Sequence, residues 1–433
     1  MKFSRLSAAF LSLLSMFLVH EAAADEPFIL GIGTHLMNFP ASPRVPLQLA
    51  AQAGVTALKD DAFWSTAEPA PNQLRIVQPW RDYLSAAATQ NLSRLVILDY
   101  STFFHDNAKP RAGKVKAAYL NYVNYVVGQL GNRVNYYEIW NEWDLEAPGD
   151  PKLAADYAAL VRDTVPLIRK HTQGQNGSPA KILAGSITPQ GMDEGFADHL
   201  IDAGMLDQVD GLSIHPYAHC AGGGRNNPEG WVNWVREYER HIRTKAGRDV
   251  PLYITEMAWP SHTENCGSTP ETQAAFMARI LFFARTIPNL EGMWWYDLIN
   301  DGADRKDQEH NFGLLNEDLS AKPAYNVLKV ISPFIKDFTY DPDASVWADD
   351  AYLLHFSKGE EQIVVAWAGA RKTIEKTVHS AGPQNGALRL IDTAQPQKGW
   401  FNAEQSWACQ AQQCSAPITL NGFPKIIRVG ASG

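Results

Sequence analysis

Tyr136-Tyr137-Glu138-Ile139-Trp140-Asn141-Glu142 is a short aromatic and β-branched run that stops at an acid. Leu252-Tyr253-Ile254-Thr255-Glu256 repeats the pattern, with Met257-Ala258-Trp259 after it. Near-continuous apolar runs of this length, enriched in β-branched and aromatic residues, read as strands buried on both faces. Such strands belong to parallel sheets covered by helices, and the acid that ends each run then stands at a C-terminal strand end.

Working outward, six further runs of the same kind flank these two. The eight strand candidates are 28–33, 55–59, 94–100, 134–140, 181–186, 209–215, 251–256 and 292–297. Helix-like stretches with apolar residues at helical spacing separate them, at 114–130, 153–171, 231–245 and 271–286, with a last one near 323–330. Pro270 stands just before one of them, where its missing N–H is harmless. Eight regular β/α units predict a closed (β/α)8 TIM barrel in preference to an open doubly wound sheet. From about Ser332 the pattern changes to short strands between turn residues, at 351–356, 362–367, 387–392 and 425–429. These predict a small all-β sandwich. The expected division is 1–24 as a targeting segment, 25–335 as the barrel and 336–433 as the β domain.

Lys2 and Arg5 precede an apolar stretch, Leu6 to Val19, and Ala22-Ala23-Ala24 fits a signal-peptidase site. The stretch is short for a membrane span. A cleaved secretory signal is expected, hence a periplasmic or secreted protein with no stable membrane insertion of the mature chain. The 433 residues carry 38 basic and 47 acidic side chains, a formal charge of −9. Loss of residues 1–24 leaves the remainder more negative still. With no basic cluster, nucleic acid and anionic membrane surfaces are excluded as partners. Four cysteines, an even number in an exported chain, suggest disulfides, Cys409 with Cys414 in a loop-like stretch and Cys220 with Cys266. A metal site is the rival reading, and no ligand-like spacing supports it. The 13 Trp, 15 Tyr and 18 Phe read first as core. Trp347, Trp367, Trp400 and Trp407 are expected to fill the β domain.

Glu142 and Glu256 end the fourth and seventh runs, whose ends face each other across a barrel mouth. Two carboxyls so placed suit the acid and the nucleophile of glycosidic bond cleavage. Strand parity puts Glu138 and Trp140 inward below Glu142, with Glu138 paired to Lys59. His215 and Tyr217 share a parity at the end of the sixth run and should both reach Glu256. Asn141 is placed to hold a sugar hydroxyl. One of Trp294 and Trp295 should floor a bound sugar, and Trp64, Trp143, Trp259 and Tyr100 are candidate walls. His35 ends the first run. Cys220 and Cys266 fall in the loops after runs six and seven, where a disulfide would brace the mouth.

Trp140-Asn141-Glu142, His215-Pro216-Tyr217 and Thr255-Glu256 together resemble the clan A glycoside hydrolases. Trp294 to Gly302, Asn311 to Leu315 and Lys322 to Tyr325 resemble the end of family 39-type barrels, above all the PslG-type bacterial exopolysaccharide glycosidases. The likeness covers about residues 28–335. It implies a retaining, double-displacement glycoside hydrolase with Glu142 as acid/base, Glu256 as nucleophile and Asn141 on the sugar 2-hydroxyl. The arginine that such enzymes often carry near the nucleophile is matched here by Lys59, which keeps the charge and loses the planar fork. No metal and no organic cofactor are expected. The partner would be a polysaccharide or oligosaccharide, cleaved by an endo-acting monomer, with an extracellular, biofilm-type polymer as first substrate class. A non-catalytic glycan-binding protein and a transglycosylase are the alternatives.

Overall fold

A computed structural model describes residues 27–39, 41–172, 178–369, 372–380, 384, 386–410 and 413–429. The expected signal peptide, 1–24, lies outside these residues.

Eight parallel strands close into a barrel in the order β1-β2-β3-β4-β5-β6-β7-β8. They are β1 (Ile29–Gly33), β2 (Ala57–Asp61), β3 (Ser93–Leu98), β4 (Tyr136–Ile139), β5 (Lys181–Ile187), β6 (Gly211–Ile214), β7 (Leu252–Met257) and β8 (Leu290–Trp295). All eight overlap the expected runs, and Ile29 paired to Gly292 closes the ring. Helices lie outside, among them Gly113–Leu130, Pro151–Thr172, Pro228–Ala246, Pro270–Ala284 and Pro323–Asp337. Pro228, Pro270 and Pro323 each begin a helix, where proline removes no intrahelical bond. Asn227 and Thr269 cap two of these starts by accepting the N–H of Gly230 (2.9 Å) and Thr272 (3.1 Å). None of the described helices is long and apolar enough to cross a membrane.

The barrel interior is packed, not open. Ala57, Leu95, Ile97, Leu183, Tyr253 and Trp294 form its filling. Trp294 fits because its register partner on β1 is Gly31: a Cβ there would meet the indole at 2.3 Å.

The last helix ends at Asp337 and β strands follow. They are β9 (Thr339–Trp347), β10 (Ala351–Lys358), β11 (Glu361–Ala368), β12 (Ile374–Ser380), β13 (Ala387–Asp392), β14 (Phe401–Ser406), β15 (Ala408–Gln410), β16 (Gln413–Leu420) and β17 (Lys425–Arg428). A six-stranded sheet, β14-β13-β17-β11-β10-β9, packs on a three-stranded sheet, β12-β16-β15. Strand alternation decides which residues meet which layer. On β11, Val364, Ala366 and Ala368 join the core between the sheets, whereas Ile363, Val365 and Trp367 join the core shared with the barrel. Trp367 is fully buried, and Trp347, Trp400 and Trp407 are half-buried, so the tryptophans do fill this region. Both disulfides form as expected, with Cα–Cα distances of 5.1 Å for Cys220–Cys266 and 4.0 Å for Cys409–Cys414. The second is not in a loop: its cysteines face each other in the β15–β16 ladder.

Candidate active site

The C-terminal ends of the barrel strands surround a cleft of about 640 Å³. Glu142 and Glu256 both line it, and so do Asn141, Tyr217, His35 and Tyr100. Glu142 reaches the cleft through an irregular turn. β4 stops at Ile139, and Trp140 and Glu142 take left-handed φ values of 63° and 46°. Such values cost non-glycine residues about 1–3 kcal/mol each and persist where the surroundings enforce them. The turn breaks the parity expected from the sequence. Trp140 points outward, packing on Tyr119 of the helix 113–130 at 5.7 Å, while Glu138 alone faces inward.

His215 sits between the two acids with no exposure. Its Nδ1 lies 3.0 Å from Glu142 Oε1 and 3.6 Å from Glu256 Oε2. Its Nε2 lies 3.0 Å from Thr255 Oγ1, whose own hydrogen goes to Glu138 Oε1 at 2.9 Å. Thr255 therefore accepts from the ring, and Nε2 is a donor. Burial pushes the His215 pKa down, but Glu256 and Glu142 outweigh it and the net direction is up. The ring bridges the two carboxyls. Glu138 also accepts from Ser186 Oγ at 2.8 Å, which anchors the chain of bonds. Glu138 forms no pair with Lys59; the expected ion pair goes elsewhere.

Lys59 Nζ instead meets Glu256 Oε1 at 2.5 Å, and Tyr217 donates to Glu256 Oε2 at 3.0 Å. Burial would raise the Glu256 pKa, but His215, Lys59 and Tyr217 together pull it down to about 2. Glu256 is thus ionised and held at both oxygens. Lys59 and His215 are buried against the carboxylates, and neither lines the cleft.

Four expected aromatic contacts are overturned. Trp294 fills the barrel interior, and Trp295, 2% exposed, packs between strands and helices. Trp64 is fully buried, donates to Glu68 Oε2 at 2.6 Å and stacks on His105. Trp259 packs edge-on against Phe276. None of the four lines the cleft, and Trp143, also buried, donates to the carbonyl of Leu153. Their places are taken by Tyr296, Phe312, Phe39 and Phe63. Asn141 donates to Tyr100 Oη at 2.6 Å, so these two form one wall.

The acids Asp60, Asp61, Asp301 and Glu309 also line the cleft and were missed. Leu58-Lys59-Asp60-Asp61 carried a signal, because charge at the end of an apolar strand is rarely there for packing. Burial raises Asp60 to about 7 and Asp61 to about 6. Asp301 stands 3.0 Å from His35 Nδ1, with Asp297 at 3.8 Å. Burial lowers the His35 pKa, yet the two aspartates prevail and raise it to about 10. Two triads among the described residues place ligand-type atoms within 4.8 Å of each other: Glu142, His215 and Glu256, and His35, Asp297 and Asp301. In the second triad the raised His35 pKa keeps the imidazole protonated at neutral pH.

No family model and no curated protein sequence matches the chain. Solved structures do share its fold. A family 39 glycoside hydrolase from the gut symbiont Bacteroides cellulosilyticus WH2 superposes with a TM-score of 0.74 at 24% identity, over 94% of this chain and 81% of that one. A monomeric beta-xylosidase from Caulobacter crescentus CB15 gives 0.61 at 14% identity, over 94% and 96%. A family 30 subfamily 8 xylanase from Clostridium acetobutylicum gives 0.59 at 13% identity, over 95% and 98%. Each likeness spans both the barrel and most of the β region, and at these identities it establishes the architecture.

Proposed function

We propose that the protein is a retaining glycoside hydrolase that cleaves internal bonds of an extracellular polysaccharide. The observation that carries this reading is the spacing of the two acids: a carboxylate oxygen of Glu142 and one of Glu256 lie within 4.8 Å of each other. Retaining glycosidases hold their carboxyls about 5–5.5 Å apart, whereas inverting ones leave about 6.5–9.5 Å for a water. The ionised, doubly held Glu256 suits a nucleophile. Glu142, on the opposite wall, suits the proton donor.

In the first step a Glu256 oxygen bonds the anomeric carbon as the glycosidic C–O bond breaks, and the Glu142 proton goes to the leaving oxygen. Glu142, now a carboxylate, takes a proton from water, whose oxygen bonds the same carbon as Glu256 departs. The shared fold with family 39 and family 30 enzymes supports a glycosidic substrate. The division at 335/336 into catalytic barrel and accessory β domain belongs to this proposal. So do export by cleavage after residue 24 and action as a monomer. Two disulfides support an oxidising compartment.

The test is reducing-end release from exopolysaccharides, glucans, mannans and xylans by wild type beside Glu256→Gln. Release by wild type alone, with the first product in the parent anomeric configuration, is the expected result. Polymer binding without release would move the reading to a glycan-binding protein. An inverted product would reassign Glu256 as a base.

A further inference from the structure

The mouth of the barrel is built asymmetrically. Loops after β6, β7 and β8 are locked together. Cys220–Cys266 ties the first two, and the Thr263 N–H donates to the Arg305 carbonyl at 2.8 Å. The Ser261 N–H donates to the Asn311 carbonyl at 3.0 Å, and His219 meets Gln308 at 3.1 Å. The loops after β1 to β4 are different. Among the described residues, large apolar side chains stand exposed at six places, and four are on this side: Phe39 (54%), Tyr100 (43%), Phe103 (71%) and Leu145 (63%). Phe63 stacks with Tyr100 at 6.2 Å and 28°. Full burial of a side chain of this size is worth about 1.5–3 kcal/mol, and these partly exposed groups forgo a fraction of it, so their gathering on one side of the mouth marks a contact surface.

We propose that this aromatic ledge is an extended glycan platform, binding sugar units beyond those at the two carboxyls. The inference rests on the glycosidase reading for its ligand class and adds where the polymer lies. Continuity names the occupant: Phe39, Phe63 and Tyr100 line the same cleft as Glu142 and Glu256, and Phe103 stands exposed a few residues beyond Tyr100 in the same loop after β3. Aromatic faces pack against the C–H faces of sugars without demanding a particular hydroxyl pattern. On the locked β6–β8 side Tyr217, Tyr296 and Phe312 line the cleft, but among the described residues none of the exposed large apolar side chains stands there. The chain is therefore held over the β1–β4 loops.

The experiment uses the Glu256→Gln protein, which would bind without turnover, in gels containing xylan, β-glucan, mannan or bacterial exopolysaccharide. Phe39→Ala and Phe103→Ala are added singly, with Val346→Ala, an exposed apolar residue on β9, as the control. The expected result is a polymer Kd raised about tenfold by each phenylalanine change, or about 1.4 kcal/mol, and left alone by Val346→Ala. For Phe103→Ala the loss should be present with six-unit oligosaccharides and absent with two-unit ones. An equal loss at both lengths overturns the ledge, as does absence of retardation of the parent in every gel. A dimer that Phe103→Ala converts to monomer without change in polymer Kd also overturns it, since the ledge would then seat a second copy. Wild-type hydrolysis is scored separately. Ledge-dependent binding without release would fell the catalytic reading and leave the ledge standing; release indifferent to both phenylalanines would do the reverse.

Discussion

Lys59 shows how one substitution relative to an expected arginine is absorbed. Its ammonium is buried with Glu256 and bonds a single oxygen, leaving the other to Tyr217 and His215. Lys59→Met should cost about 3–5 kcal/mol, because it strands a buried carboxylate. The pH dependence follows from the depressed Glu256 pKa. Stability contributed by this group is present above its unfolded value near 4.5 and is lost as pH falls through about 2. Without Lys59 the folded pKa rises and the loss moves to higher pH. Thermal unfolding of the variant from pH 2 to 7 should show the shift, and an unchanged acid limb would refute the pairing. Glu142→Gln should slow cleavage by about 10²–10⁴-fold on substrates with poor leaving groups and far less on activated aryl glycosides. Equal losses on both would remove Glu142 from the proton-donor role. Glu142, Glu256, His215 and Tyr217, singled out from the sequence and brought together by the fold, all sit where a buried apolar run ends. Trp64 and Trp259 misled because an aromatic ring after a strand has two outlets, the cleft or the space under a helix, and local pattern does not distinguish them.

The strands and helices were readable because buried parallel strands and amphipathic helices have distinct periods. The loops were not. Asp301, Glu309, Phe39 and Phe312 reach the cleft through loop paths set by hydrogen bonds to distant residues, such as the Leu314 N–H on the Asp297 carbonyl at 3.1 Å. No period encodes such a path. The turn after β4 is the extreme case, since two left-handed residues reversed the facing that alternation predicts. The disulfide between the β6 and β7 loops, by contrast, followed from cysteine number and position. Its ring spans 46 residues, which in the chain-entropy model is worth about 4 kcal/mol. Replacing Cys220 and Cys266 by serine should lower stability by that order in denaturant titration. A loss of activity in the same variant at temperatures where it remains folded would show that the tie also shapes the mouth.

At the scale of the molecule, the barrel and the β region share one apolar core. Phe283, on a barrel helix, meets Trp347, Tyr352 and Trp367 of the six-stranded sheet at 5.2, 5.2 and 4.9 Å. Trp367 adds a bond from its indole N–H to Glu229 at 3.0 Å. Phe283→Ala should cost about 3–5 kcal/mol and unfold barrel and sheet in one transition by calorimetry. Two well-separated transitions would mean the contact is incidental.

The closure of β1 against β8 has a consequence for biosynthesis. Ile29 is made long before its partner Gly292, which emerges only when the barrel sequence is almost complete. At about 5–20 residues per second this interval is on the order of ten to fifty seconds. For that time the nascent chain carries an unpaired strand edge of Ile29-Leu30-Gly31-Ile32-Gly33, able to pair with any other exposed edge. A slower translation rate would lengthen that exposure.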